Sequence, residues 1–275
     1  MNEYRVHRVT SLEIPQLAPY RTLRRTAQHL QEGIFVAEGG KVVTRLLDSH
    51  WRVVSMLMTD EWFTTILFLV GAERLHGVDV FLAGKPLLES IVGFRLHQGI
   101  MAVGKLPAER SLHELLAPIP QPYVIVALDG LVHAENVGVV VRNCAAFGVD
   151  AILVSSTSAS PYLRRAVRNS MGGVFRVPVL HVEHLPLTLD ELKHHYAFSI
   201  IVADAHAERT LESADVSGNV CVVFGNEDKG VSEDVQPTAT QRIRIPMHNA
   251  MDSLNVASAS AVMLYEIRRR IPLRT

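Results

Sequence analysis

Cysteine, aromatic side chains, net charge and long apolar runs are all scarce in this 275-residue chain, and each scarcity narrows what it can be. The two cysteines, Cys144 and Cys221, sit inside the apolar runs "VVVRNCAAFG" and "NVCVVFG", where cysteine behaves as a small buried hydrophobe; a reducing, cytoplasmic setting is the expectation. None of the 13 histidines stands at a zinc-like spacing from a cysteine, and His194 and His195 are adjacent rather than stacked on one helix face, so no metal is expected. The longest apolar candidate, "WFTTILFLV", falls short of the roughly 20 residues a membrane span needs, and "MNEYRVHRVTSLEIPQ" lacks the apolar core of a signal peptide. A formal net charge of −1 and a pI near 6.9 exclude a protein-wide basic field, so a nucleic-acid partner has to be held by local patches.

What the chain does have is the composition of an ordinary α/β protein, 48% hydrophobic and 20% charged, in a length that accommodates two domains. The first part alternates strand and helix patterns: "GIFVAEG" then "GKVVTRLLDS", "RVVSMLM" then "DEWFTTILFLVGAERL", "VDVFLAG" then "KPLLESIVGF", and last "GIMAVGKL". Residues 107–122, "PAERSLHELLAPIPQP", hold four prolines and no strand periodicity, which predicts a linker with room for a short helix between domains at 1–106 and 123–275. Beyond it the strands "YVIVALDG", "DAILVSS", "FSIIVADA" and "NVCVVFGNE" are apolar almost throughout. Such strands need both faces covered, so a mostly parallel sheet is predicted, with ligands at the carboxyl ends of its strands.

Polar clusters fall at three of these strand ends. After "YVIVALDG" come Asn136, Gly138 and Arg142; alone they read as an N-cap asparagine and an arginine reaching for solvent. After "NVCVVFG" come Gly225, Asn226, Glu227 and Gly230, whose glycines let backbone approach a ligand but which alone also describe a turn capped by Asn226 or Asp228 on its way into a helix. The third cluster, Asn249, Asp252, Ser253 and Asn255, precedes the small-residue helix "VASASAVMLYEI", and a capping role for Ser253 explains only one of the four. Three arginine groups, Arg21/Arg24/Arg25, Arg164/Arg165/Arg168 and Arg268/Arg269/Arg270, are either phosphate contacts or solvated helix faces.

Together, "ENVGVVVRNCAAFG", "FGNEDKGVS" and "IPMHNAMDSLNVASASAVMLYE" resemble the three motifs of the SpoU (TrmH-type) family of RNA ribose 2′-O-methyltransferases, part of the SPOUT superfamily, and "RNSMGGVFRVPV" is similar to that family's connection between the first two. In the first domain "FVAEGGKVVTRLL" and "HQGIMAV" resemble the L30e-like substrate-binding domain that many members carry. One departure stands out: where members commonly show an Asp-Pro pair ahead of the first asparagine, this chain has His133 and Ala134, so the loop entering the site is expected to be shaped differently.

The resemblance implies a knotted, deep-trefoil methyltransferase domain with a mostly parallel sheet, preceded by a small α/β L30e-like domain. It implies S-adenosyl-L-methionine as cofactor, held largely through backbone at Gly225, Gly230, Ile245, Met247 and Leu254. It further implies a catalytic set of Arg142, Asn136, Glu227, Ser253 and Asn255, the last four orienting the arginine and the target ribose. An RNA substrate follows, rRNA favoured over tRNA, and a homodimer. Arg142 matches the arginine proposed to activate the 2′-hydroxyl. Because a guanidinium keeps its proton up to about pH 12, two roles stay open, base or anchor for the target phosphate. Three other readings compete: a tRNA 2′-O-methyltransferase, a ribosome-protecting resistance enzyme of identical chemistry, and a non-catalytic RNA-binding protein retaining the fold. Against the last counts the presence of all five polar residues. A Rossmann-type methyltransferase would want a glycine-rich first turn, and "VALDGLVHAEN" offers one glycine.

Overall fold

The computed structural model describes residues 4–92, 99–249 and 251–271, so His97 and Gln98 of the "HQGIMAV" stretch lie outside the described residues. The chain forms two compact units, one of residues 1–108 with 162–175, the other of residues 109–161 with 176–275.

The first unit runs β1 (Arg5–Val9), α1 (Ala18–Arg21), α2 (Thr26–Gln31), β2 (Ile34–Glu38), α3 (Gly40–Leu47), β3 (Val53–Met58), α4 (Asp60–Val70), β4 (Asp79–Ala83), α5 (Lys85–Val92) and β5 (Ile100–Lys105). Its five-stranded sheet has the order β1-β4-β3-β5-β2, with β5 antiparallel to both neighbours and the remaining pairs parallel. Leu17, Tyr20, Val36, Leu57, Phe81 and Met101 share one core cluster, inside which the Tyr20 hydroxyl bonds Ser55 Oγ at 2.9 Å. Sequence patterning passes over β1 because four of its five residues are exposed and its apolar alternation is missing.

The second unit begins with α6 (Leu112–Leu116), the short helix inside the proline-rich stretch, started by a capping box in which Ser111 Oγ accepts from the Glu114 N–H and the Glu114 carboxylate accepts from the Ser111 N–H. There follow β6 (Val124–Asp129), α7 (Ala134–Ala146), β7 (Ala151–Ser155), α8 (Arg164–Asn169), β8 (Val179–Val182), α9 (Leu185–His195), β9 (Phe198–Ala203), β10 (Arg209–Thr210), β11 (Asn219–Gly225), β12 (Gln241–Arg244) and α10 (Val256–Arg270). Seven strands in the order β10-β12-β9-β11-β6-β7-β8 pair in parallel throughout. That is the arrangement their composition requires, since every residue of β6 and β7 is buried. The register sets Gly225 opposite Asp129, so the first two polar clusters leave the sheet side by side.

Of these elements α8 belongs to the first unit, where Arg164 and Arg168 both pair with the buried Glu38 of β2 and the Arg45 guanidinium donates to the Met171 carbonyl. Both arginines are thereby committed to a carboxylate rather than offered to phosphate. Arg21 is paired with Glu13 at 2.5 Å, while Arg24 and Arg25 are exposed and have no partner among the described residues.

A polar seam fixes α10 against α7. Asn143 Nδ2 donates to the Ala257 carbonyl at 2.8 Å and to Ser260 Oγ at 2.9 Å; Arg268 Nε donates to the Phe147 carbonyl at 2.8 Å, its Nη2 to the Gly148 carbonyl. Arg268 thus caps the carboxyl end of α7, and Arg269 and Arg270 close on Glu266, so the last arginine group is structural. Arg268 is 7% exposed in its side chain and lies 3.7 Å from an equally buried Asp150. Arg268→Ala removes the donor to both carbonyls and a partner of Asp150, and a loss of about 3 kcal/mol in unfolding free energy is expected by urea titration.

Candidate active site

At the end of β11 the chain turns back on itself. The Asn226 N–H donates to the Gly230 carbonyl at 2.8 Å and the Gly230 N–H returns the bond at 2.9 Å, while Asn226 Oδ1 accepts from the Asp228 and Lys229 N–H groups, each at 3.0 Å. No helix follows: Asn226 closes a turn instead of capping one. A Cβ on Gly225 would stand 2.2 Å from the Gly230 carbonyl carbon and 2.2 Å from the Val231 nitrogen, so only glycine permits this close approach of backbone to backbone.

The helix after β6 also starts differently from expectation. α7 begins at Ala134 with His133 in the N-cap position and no side-chain cap, which places Asn136 inside the first turn. Freed from capping, its amide bridges two other clusters: Asn136 Nδ2 donates to Glu227 Oε1 at 2.8 Å, and Asn136 Oδ1 accepts from Asn255 Nδ2 at 3.2 Å. Asn255, not Ser253, caps the last helix, its Oδ1 accepting from the Ala257 N–H at 2.9 Å. The result is a chain, Asn255 to Asn136 to Glu227, anchored at one end by the N-terminus of α10. At the other end Glu227 Oε2 is buried and has no hydrogen-bond partner among the described residues.

Beside this chain lies a cavity of about 630 Å³. All five predicted cofactor positions, Gly225, Gly230, Ile245, Met247 and Leu254, line it, together with Glu227, Ser253 and Asn255 of the predicted catalytic set. Phe224, Val231 and Met263 complete an apolar wall, and Asp204, His206 and Arg242 stand on the lining as well, with Arg242 Nη2 2.5 Å from Asp204 Oδ2. No spacing in the sequence pointed to that ion pair. Asn136 is joined to the cavity only through its two partners. Ser253 is exposed on the lining without a hydrogen bond among the described residues.

Arg142 is the outlier. It lies six residues after Asn136 in α7, about 120° around the axis and about 9 Å along it. It is exposed, it does not line the cavity, and among the described residues no side chain bonds its guanidinium. Within one chain none of Asn136, Glu227, Ser253 and Asn255 bonds to it.

Burial pushes the Cys144 and Cys221 thiols far up from the ordinary cysteine range, which removes them as nucleophiles. Among the described residues no group of three or more His, Cys, Asp or Glu side chains could hold a metal ion. The site combines a cavity of mixed polar and apolar lining, a backbone cradle at Gly225 and Gly230, and the Glu227 carboxylate held by Asn136.

Comparison with known proteins matches residues 123–265 to the family model described as the SpoU rRNA Methylase family. Among curated relatives, an uncharacterized tRNA/rRNA methyltransferase of Mycobacterium bovis is 29% identical over 265 residues, 93% of this chain and 89% of its own. The 23S rRNA (guanosine-2′-O-)-methyltransferase RlmB of Acinetobacter baylyi is 32% identical over 199 residues, 70% of this chain and 79% of its own. Among solved structures, an AdoMet-bound rRNA methyltransferase of Sinorhizobium meliloti aligns with a TM-score of 0.82 at 25% identity, covering 98% of this chain and 99% of that one.

Proposed function

This chain belongs to the SpoU rRNA Methylase family, and from that premise we propose that it methylates the ribose 2′-hydroxyl of a ribosomal RNA nucleotide with S-adenosyl-L-methionine as donor. The observation that carries the reading is the Asn255–Asn136–Glu227 chain on the border of a cavity of nucleoside size. The donor's fit rests on the Gly225–Gly230 cradle, the wall of Phe224, Val231, Ile245, Met247 and Leu254, and a volume within the roughly 300–1,000 Å³ of small-molecule sites. When bound, it supplies a methyl group on a sulfonium, which departs as a neutral thioether.

The protein's task is to present a hydroxyl in line and to help its proton leave. Glu227 Oε1 is occupied by Asn136, which fixes the carboxylate and leaves Oε2 as the free acceptor for an incoming hydroxyl. Asn255 fixes Asn136 in turn, so the acceptor is set before substrate arrives. Ser253, unpaired on the same lining, is placed to donate to the ribose. Arg142 supplies a cation for the target phosphate, which then helps take the proton.

Charge supports an RNA substrate in a way the net value hides. Residues 1–108 and 162–175 contain 15 Lys or Arg against 10 Asp or Glu, a formal +5, whereas the rest contains 12 against 18, a formal −6. In this reading the first unit, the L30e-like one, holds the polyanion with Arg24 and Arg25 among its free cations, and the second carries out the transfer. The A. baylyi relative, named for 23S rRNA, favours rRNA over tRNA.

The reading includes a trefoil-knotted second unit, a cytoplasmic location in keeping with the two free buried thiols, and a homodimer. Exposed Ser258, Val262, Tyr265 and Arg269 form one stripe of α10, with Tyr265 61% and Val262 43% exposed, and exposed Arg142 and Ala146 share a stripe of α7. A second copy covering these stripes would bury the apolar pair and give Arg142 the partners its own chain does not provide. Among the described residues no helix is long and apolar enough to cross a membrane.

The test is transfer of labelled methyl from S-adenosylmethionine to separated rRNA and tRNA fractions of a strain lacking the gene. Label in the rRNA fraction alone is expected. Label confined to tRNA shifts the substrate, and donor binding with no transfer to either supports an RNA-binding protein without chemistry.

A further inference from the structure

The first two of the four residues that link β6 to the helix carrying Asn136 are held with unusual completeness. Gly130, at φ +71°, and Leu131 belong to no helix or strand, yet all four of their backbone polar groups are bonded. At the end of β7, Ser155 Oγ accepts from the Gly130 N–H at 3.3 Å, and from the loop after it Ser158 Oγ accepts from the Leu131 N–H at 3.1 Å and the Ala159 N–H donates to the Leu131 carbonyl at 2.7 Å. From the loop after β11, Asn226 Nδ2 donates to the Gly130 carbonyl at 2.7 Å. One residue earlier, Asp129 Oδ2 accepts from the Ser232 N–H at 2.7 Å.

The segments 129–136 and 226–232 are therefore stitched three times: Asp129 to Ser232, Gly130 to Asn226, and Asn136 to Glu227. Only the last of these joins residues assigned to chemistry. The middle one is unlike an ordinary loop contact, because both ends of the Asn226 amide are used. Its oxygen closes the 226–230 turn that presents Glu227, and its nitrogen holds the turn that presents Asn136. One side chain thus sets the positions of both members of the Asn136–Glu227 pair.

We propose that Asn226 is a positioning residue for methyl transfer, with Ser158 supporting the same turn from its opposite side. The inference rests on the methylation reading above, and it assigns Asn226 no contact with the reacting atoms. Asn226→Asp isolates the effect: the oxygen that accepts from Asp228 and Lys229 remains, and the donor to Gly130 becomes an oxygen facing a carbonyl. Ser158→Ala removes the support from the other loop.

Five quantities decide. For Asn226→Asp, kcat is expected to fall about 10- to 100-fold, in keeping with a displacement near 1 Å at the reacting pair. The Kd for S-adenosylmethionine and the KM for RNA should change by no more than about threefold, and the melting temperature by no more than about 2 °C. Hydrogen exchange should quicken in residues 128–136 and stay unchanged elsewhere. Ser158→Ala should show the same pattern with a smaller fall in kcat. Asn226 stands on the cavity lining, so a donor Kd that weakens in step with kcat would make it a donor contact and overturn the inference, as would kcat within twofold of wild type or unaltered exchange in 128–136. A wild-type protein that methylates no RNA marks failure of the methylation reading, whereas active wild type with an equally active Asn226→Asp marks failure of this inference alone.

Discussion

Arg142→Ala is expected to reduce kcat for methyl transfer by about two to three orders of magnitude while leaving the melting temperature and donor affinity at wild-type values. The separation follows from its surroundings. An exposed arginine that does not line the candidate site's cavity and bonds to no described side chain contributes little to folding, and surface substitutions of that kind usually fall within about ±0.5 kcal/mol. What alanine removes is a cation, and a cation matters to this reaction where charge moves from the attacking hydroxyl. Arg142→Lys separates the two roles. Lysine keeps a point charge without the planar fork, so phosphate anchoring predicts partial recovery of kcat with a raised KM for RNA. A base role predicts instead a kcat profile shifted along the pH axis. Steady-state kinetics on the three proteins across pH distinguishes them.

Gly225→Ala is expected to weaken S-adenosylmethionine binding by about 100-fold and to lower stability by about 2–3 kcal/mol. The new methyl group would stand 2.2 Å from two backbone atoms, the Gly230 carbonyl carbon and the Val231 nitrogen, so no rotamer change relieves the clash. The 226–231 backbone has to move, and with it go the cradle, the reciprocal Asn226–Gly230 bonds and Glu227. Calorimetric titration with the donor, alongside urea unfolding, measures both effects. Wild-type donor affinity in this variant would mean that the cavity is not where the donor binds.

The strand and helix patterns of the second unit were legible in the sequence because its buried strands are apolar nearly throughout and its helices carry their own periodicity. Part of the cavity lining was legible through the family resemblance, which pointed to Gly225, Gly230, Ile245, Met247 and Leu254, whereas Asp204, His206 and Arg242 on the same lining gave no local signal. Local reading failed where partners are distant. Asn136 looks like an N-cap until Glu227, 91 residues on, claims its amide, and Asn255 makes the cap for which Ser253 is the other local candidate. Likewise the Arg164 group reads as a basic helix face until Glu38, 126 residues away, is seen to hold two of its members. Nothing in the linear order marks residues 162–175 as packing with the first unit, and nothing marks Gly130 as a point where two loops converge. The near-neutral net charge misled in a different manner, by averaging a basic unit with an acidic one.

Whether a ribose oxygen receives the methyl group is decided by where the label ends up. RNA from a strain lacking the gene is incubated with the protein and methyl-labelled S-adenosylmethionine, then hydrolysed to completion in alkali. A methylated 2′-oxygen cannot attack the neighbouring phosphodiester, so label is expected in an alkali-resistant dinucleotide, and absent when Arg142→Ala replaces the wild-type protein. Label recovered in mononucleotides would place the methyl on a base and contradict the account.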